Sequence, residues 1–283
     1  MLKAKAYAKI NLSLDIVGVR DDGYHLIKTV MQSISLHDVI SVEKVGSGIT
    51  VSCNIPYVPC DKRNIVYKCA ERFFEHTKNS FGVHIDIQKN IPSQAGLGGG
   101  SADGAAVLVL LNKLCNNPLS VEELCQIGAK VGADIPFCIV GGCALCEGIG
   151  EVITPINSNL SLNLCIVKPD FGVSTVEAYK AFDSAEILSH PDTDAVIKSL
   201  EIGDNTALAN NLVNVFEMDK RIDEIKDFLV NAGAIASCMS GSGSAVFGIL
   251  ENDSPMPKCD LYGSKVFPAH TVGCGVEILE ESF

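Results

Sequence analysis

The sequence has no long apolar run, no excess of positive charge and no low-complexity tract. Its longest unbroken apolar stretch, Ala105 to Leu111, is far too short to cross a bilayer, so no transmembrane segment is expected. With 22 basic residues against 34 acidic ones and a formal charge of −12, the chain lacks the electrostatic footprint of a nucleic-acid or anionic-membrane binder. An anionic ligand would have to be held by local devices, such as backbone N–H groups and one or two well-placed lysines. The opening segment MLKAKAYAKINL has no apolar h-region or cleavage site, and the twelve cysteines are scattered through a long chain. Both features point to a reduced, cytoplasmic setting rather than a disulfide framework. Cys143 and Cys146 have the spacing of half a zinc site, but no second pair of cysteines or histidines follows, so they are read as buried small hydrophobes.

What is present is enough for a folded enzyme or binding protein: 283 residues, 47% of them hydrophobic, suffice for two domains. Residues 4 to 16 alternate, with Ala4, Ala6, Ala8, Ile10, Leu12, Leu14 and Ile16 on one face and Lys9, Asn11 and Ser13 on the other, which predicts a half-buried strand. RDDGYH reads as a turn, DVISVEK and GITVSC as further β structure, and NIVYKCAERFFEHT as a helix from the spacing of Ile65, Val66, Cys69, Ala70 and Phe73. FGVHIDIQ returns to period two and leads into PSQAGLGGGSADGAA, after which Ala105 to Leu114 fits a helix buried on most sides. Ser120 and Glu123 form a capping box for a helix through Val131, with Ile135 held extended by Pro136. PFCIVGGCALCEGIGEVI is expected to be a hairpin turning near Gly141 and Gly142. The polar stretch TPINSNLS marks the expected boundary between an ATP-binding domain, residues 1–156, and a substrate-binding domain, residues 157–283. The second part is expected to carry the strand LNLCIVKP, a helix opened by Ser174 and Glu177, helices near 207–217 and 219–231, a β-hairpin around the SGSGS turn, and a last strand in VGCGVEIL. Both halves read as α+β.

The glycine cluster demands more than a turn. One or two glycines suffice for a tight strand-to-helix connection, whereas Gly96, Gly98, Gly99 and Gly100 crowd the entry to a helix. Such a loop lets backbone N–H groups approach a phosphate while the helix dipole adds partial positive charge. It is neither of the two common fingerprints: no Gly-Lys-Ser/Thr follows, Ser101 stands where G-x-G-x-x-G has its third glycine, and about ninety residues precede it.

The loop resembles that of the galactokinase, homoserine kinase, mevalonate kinase and phosphomevalonate kinase superfamily. AKINLSLDIVGVRDDGYHLIKTVMQSI narrows the resemblance to the kinases that act on 4-diphosphocytidyl-2-C-methyl-D-erythritol, and GADIPF, FGVSTVEAYKAFD and MSGSGSAVFG follow in that family's order, from Lys3 to about Gly248. The resemblance implies an N-terminal domain like the ribosomal S5 second domain, a ferredoxin-like C-terminal domain and an active site in the cleft between them. It implies ATP and Mg²⁺ as cofactors, with no metal ligand identified, and phosphorylation of the 2-hydroxyl of the cytidine diphosphate-linked methylerythritol. By the same resemblance Asp134 is the catalytic base and Lys9 the cation beside it. Gly96, Leu97, Gly98, Gly99, Gly100 and Ser101 hold the nucleotide phosphates. Asn11, Tyr24, His25, Tyr179, Gly241 and Gly243 contact the acceptor, with the tyrosines stacking on cytosine and His25 reading its polar edge. The rival readings are a superfamily kinase for homoserine or a mevalonate-type alcohol, or a catalytically silent nucleotide-binding protein. Two positions depart from the family's pattern: Ala102 replaces a second serine, and Gly104 replaces an alanine at an expected cost of ~1 kcal/mol in helix stability.

Overall fold

The computed structural model describes residues 1–79, 81–185 and 189–279. In chain order the first part contains β1 (Leu2–Val19), β2 (His25–Val45), β3 (Ile49–Cys53), α1 (Ile65–Thr77), β4 (Gly82–Gln88), α2 (Gly99–Leu114), α3 (Val121–Ala129), α4 (Ile135–Val140), β5 (Cys143–Glu147) and β6 (Val152–Pro155). The second contains β7 (Asn163–Lys168), α5 (Thr175–Ser184), α6 (Thr193–Ile202), α7 (Asn205–Ala209), β8 (Val213–Asn214), α8 (Lys220–Asn231), β9 (Ala236–Met239), β10 (Val246–Leu250), β11 (Lys265–His270) and β12 (Val276–Leu279).

Two sheets organise these elements into an α+β fold. The first has the order β12-β1-β2-β4-β3, with β5 and β6 branching from β2 and the short β8 lying parallel to β1. The second has the order β11-β7-β10-β9, all antiparallel. The chain crosses from the first sheet to the second after β6, touches the first again at β8, and returns to it at its end, where β12 pairs with β1. No helix among the described residues is long and apolar enough to cross a membrane.

The alternation of β1 produces something stronger than a half-buried strand. Ala4, Ala6, Ala8, Ile10 and Leu12 are fully buried against the helical layer, but Lys9, Asn11 and Ser13 are buried too. Their face is covered by the second part of the chain, reached through β8, so the polar stripe floors a cleft instead of meeting solvent. Register shifts against β2 fall between Tyr7 and Ala8 and between Asn11 and Ser13, bracketing Lys9 and Asn11. Such bulges bend a strand and re-aim its side chains, as is common beside functional sites.

The GADIPFCIVGG segment corrects the sequence reading. Ile135 is helical, not extended: α4 starts there, and Pro136 is accommodated in the first turn, where its missing N–H costs nothing. The hairpin is formed by β5 and β6 around Gly148 and Gly150, while Gly141 and Gly142, both at positive φ, end α4. The helix expected near 207–217 is the five-residue α7 followed by β8, because Asp204 caps at that point and Val213 joins β1. Helix α6, capped by Asp192, and strand β11 were not anticipated; Pro268 disguised β11, an edge strand, where a missing donor is tolerated. Gly104 also has a purpose. A Cβ there would lie 2.9 Å from both Cys69 Sγ and the Ile65 Cγ2 methyl, so glycine permits α2 to pack on α1, and the helix-propensity argument for alanine does not carry over.

Candidate active site

A cleft of about 880 Å³ lies where β1, the glycine loop, the start of α4, α5 and the β9–β10 turn meet. Its walls include Lys9, Asn11, Tyr24, His25, Gly96, Gly98, Ser101, Asp134, Tyr179, Gly241 and Gly243. Segments more than two hundred residues apart converge on this cleft. Leu97, Gly99 and Gly100 are not part of this lining: Leu97 belongs to the core, and the two glycines form the first turn of α2.

Lys9 is almost wholly buried, with its Nζ 2.7 Å from Asn11 Oδ1 and 3.6 Å from Asp134 Oδ2. Asn11 in turn donates to Thr29 Oγ1 at 2.8 Å, so the amide oxygen is presented to the lysine. Asp134 occupies the N-cap position of α4 without capping it, and its side chain is 31% exposed. A carboxylate that satisfies no helix N–H and faces a cleft is available to accept a proton.

The glycine loop is clipped from both sides. The Lys9 N–H donates to Leu97 O at 3.0 Å, tying the loop to β1, while Ser240 Oγ donates to Gly96 O at 3.0 Å and the Ala245 N–H to Ala95 O at 3.1 Å, tying it to the β9–β10 turn. Gly96, with φ +74°, could not carry a side chain, since a Cβ would fall 1.9 Å from Ser240 O. Gly98, with φ +69°, would drive a Cβ to 2.9 Å from Lys9 Cγ. The first bond of α2 runs from the Ala102 N–H to Gly98 O, which leaves the N–H groups of Gly99, Gly100 and Ser101 outside the helix's own ladder. A helix N-terminus with glycines at its entry and no capping side chain is suited to phosphate. Ala102 is fully buried, so it is not among the cleft walls.

Substituting Gly98 by valine is expected to abolish measurable ATP affinity, because the branched side chain meets the Lys9 stem and opposes positive φ. Calorimetry on the folded variant checks this; undiminished affinity would reduce the glycine to a turn residue.

Four features escaped the sequence reading. Asn214 on β8 donates to both Met239 O and Gly241 O at 2.8 Å, fixing the turn that faces Lys9. Gln94, at φ +52°, lines the cleft from a conformation more usual for glycine, and a Cβ on Gly172 would meet its amide oxygen. Asp183 on α5 reaches His25. Behind the loop, Lys89 pairs with Asp103 at 2.8 Å and with Asp38, whose Oδ1 accepts from the N–H groups of Asn90 and Ile91 and so pins the loop's entry. All four depend on partners distant in sequence; only the acid in the first turns of α2 left a local trace.

The cluster behind the loop holds two carboxylates against one ammonium. Burial pushes Asp103 well above the usual carboxylate range; Lys89 pulls the other way, and the Asp38 charge adds to the rise. Asp103 Oδ1 has no hydrogen-bond partner among the described residues. Since the unfolded residue ionises near ~4, its contribution to stability is complete below that pH and is lost as pH rises toward the folded-state value. Asp103→Asn removes the titration. Urea unfolding of the two proteins should therefore show the parent losing ground to the variant above pH ~4, by at most about 1.4 kcal/mol per pH unit. Parallel pH profiles would contradict this.

At the far end of the cleft His25 stacks on Tyr179, with ring centroids 4.7 Å apart and planes 29° from parallel, and Phe216 meets Tyr179 edge-on at 4.9 Å. Tyr24 is 58% exposed at the rim, with the Arg20 guanidinium 5.3 Å from its ring centre. Cys143 and Cys146, as expected, are buried and unpaired; the strand between them points them to opposite faces, and no cluster of three potential metal ligands occurs among the described residues.

Comparison with known proteins gives this geometry its setting. Residues 64–142 match the family model for the GHMP kinases N terminal domain, and residues 194–258 match GHMP kinases C terminal. Over 263 residues the chain is 48% identical to a 4-diphosphocytidyl-2-C-methyl-D-erythritol kinase of Clostridium botulinum (strain Eklund 17B / Type B), covering 91% of this chain and 94% of that one. The chain belongs to this kinase family, within the GHMP kinases. A relative of the same name from Clostridium beijerinckii is 48% identical over 256 residues, 89% of this chain and 91% of its own. A crystal structure of 4-(cytidine 5'-diphospho)-2C-methyl-D-erythritol kinase superposes with a TM-score of 0.74 at 28% identity, over 96% of this chain and all of that one. A homoserine kinase from Cytophaga hutchinsonii gives a TM-score of 0.78 at 18% identity, over 98% and 97%, which shows the shared fold alone. GHMP kinases are ATP-using phosphotransferases, and the chain is an enzyme of that kind.

Proposed function

We propose that the chain transfers the γ-phosphoryl group of ATP to the 2-hydroxyl of 4-diphosphocytidyl-2-C-methyl-D-erythritol, giving the 2-phosphate and ADP, a step in non-mevalonate isoprenoid precursor synthesis. The observation that carries this reading is the placement of Lys9 and Asp134 under the glycine loop in the same cleft as the His25–Tyr179 stack. One end of the cleft suits phosphates and the other a flat, polar-edged base. The name shared by relatives at 48% identity supports the acceptor.

In this mechanism the loop, Gly96 to Ser101, receives the ATP phosphates through its backbone. The nucleoside has room in a second cavity of about 480 Å³, lined by Tyr57 and by Lys89, Ile91 and Pro92 on the segment that leads into the loop. Asp134 takes the proton of the acceptor hydroxyl, and Lys9 stabilises the oxygen as charge develops on it. Asn11 orients Lys9 and lies beside the acceptor. Gly241 and Gly243 let the β9–β10 turn come close without side chains. Mg²⁺ bound with ATP would neutralise phosphate charge; because it commonly keeps several waters and few protein ligands, one hydroxyl such as Ser101, on the cleft wall, fits it better than a cage of carboxylates would. The twelve free cysteines suit the cytoplasm, the location we assign.

ATP consumption measured with the cytidyl-methylerythritol acceptor, homoserine and mevalonate tests the assignment. Turnover confined to the first is expected; equal use of either other alcohol would return the reading to superfamily level. Tyr179→Ala removes a stacking face and is expected to weaken the cytidyl acceptor by about 1–3 kcal/mol while leaving ATP nearly unaffected. Equal losses for both substrates would move Tyr179 out of the base pocket.

A further inference from the structure

His25 is held by a residue outside the roles assigned above. Its Nε2 lies 2.7 Å from Asp183 Oδ1, on the third turn of α5, while its ring face rests on Tyr179 and its edge meets Phe182 at 6.3 Å. The imidazole is nearly enclosed, with 14% of the side chain exposed, whereas Asp183 is 53% exposed and lines the cleft. Helix α5 thus contributes three side chains to one histidine: Tyr179 beneath it, Phe182 at its edge and Asp183 on one nitrogen.

We infer that Asp183 is a specificity-determining positioning residue, which fixes the tautomer of His25 and thereby its choice of cytosine over uracil; the inference rests on the base pocket proposed above. An aspartate carboxylate only accepts hydrogen bonds, so the hydrogen of the neutral imidazole is drawn to Nε2. Nδ1, which has no hydrogen-bond partner among the described residues, is left as an acceptor. Cytosine offers an exocyclic N–H₂ donor where uracil offers a carbonyl oxygen. An acceptor nitrogen pairs with the first and opposes the second, so a buried polar edge rejects the wrong base through its own lost partner. Without Asp183 the ring is free to carry its hydrogen on Nδ1, which reverses that preference. The π-stack alone cannot discriminate, since both pyrimidines have a face to offer.

The test compares the intact parent, Asp183→Ala, His25→Ala and the double variant, using cytidine- and uridine-diphosphate-linked methylerythritol as acceptors. For Asp183→Ala the ratio of kcat/KM values should fall about tenfold or more toward the uridine compound, with KM for ATP unchanged. The double variant should lose no more discrimination than His25→Ala alone, because Asp183 acts through His25. Nitrogen-15 spectra of histidine-labelled protein, with the His25 signal identified by its absence in His25→Ala, should show Nε2–H in the parent and a mixture of tautomers in Asp183→Ala. An unchanged ratio, a loss that adds fully to that of His25→Ala, or a uniform fall with both acceptors and ATP would overturn the inference. If the parent itself fails to prefer the cytidine compound, the base pocket is at fault, a result distinguishable because it appears before any substitution is made.

Discussion

Asp134→Asn is expected to lower turnover by roughly a hundredfold to ten-thousandfold, the range typical of lost general acid–base catalysis, while ATP continues to bind. The amide keeps the shape of the carboxylate and one oxygen for Lys9, so the 3.6 Å contact survives in weakened form. What it cannot do is accept the hydroxyl proton. The fold is not endangered, because Asp134 makes no capping bond and its side chain is partly exposed. A looser transition state leads to a different result. If the transition state is so loose that the hydroxyl keeps its proton until late, positioning and charge neutralisation supply nearly all the rate and a base supplies little. The two pictures diverge in the measured number: kcat within a fewfold of the parent, with ATP affinity intact by calorimetry, would make Asp134 a positioning group. A large fall in kcat with unchanged ATP affinity assigns it the proton.

The legibility of this chain divides along the distance over which its signals act. Some local patterns are legible, although the GADIPF segment and the stretch near 207–217 are not. The capping box at Ser120 and Glu123 forms as expected, β4 runs into the glycine loop, and β9 and β10 flank the SGSGS turn. Tertiary effects are not legible. The polar face of β1 looked solvated because a two-residue period reports only that neighbours differ, and nothing local says that the second part of the chain will cover Lys9, Asn11 and Ser13. The same blindness hid Asp183, Asn214 and Gln94. An aspartate near a helix end, an asparagine between helices and a glutamine in a glycine-rich loop each have an ordinary solvated reading, overturned only when β2, the β9–β10 turn and Gly172 arrive beside them. Gly104 shows the opposite error. There a sound local rule predicted a cost, and the close approach of α1 supplied a compensation that helix propensity does not contain. Lys9 and Asp134 were legible as a pair only through family resemblance, since 125 positions of chain separate a strand lysine from a turn aspartate and neither carries a local mark of its role.

Lys9→Met is expected to reduce kcat by about a hundredfold to a thousandfold, the scale of losing one preorganised stabiliser of developing charge, with smaller changes in KM for either substrate. Methionine preserves most of the buried stem, which matters because the Lys9 side chain is 5% exposed and packs beneath Gly98. The ammonium alone is removed, leaving Asn11 Oδ1 without its donor and Asp134 without its nearby cation. In the ground state the acceptor hydroxyl is neutral and has little to gain from Lys9. As the O–P bond forms and the proton departs, the oxygen passes through its most negative state, and the loss is greatest there. Lys9 and Asp134 should also behave as a unit: once Asn replaces Asp134, removing Lys9 should cost far less than it does in the parent, since there is no longer a proton acceptor for the cation to support. Steady-state kinetics on the parent, both single variants and the double variant give the coupling directly. An unchanged kcat with raised KM for ATP or acceptor would reassign Lys9 to substrate positioning, and fully additive losses would separate the lysine from the aspartate despite their proximity.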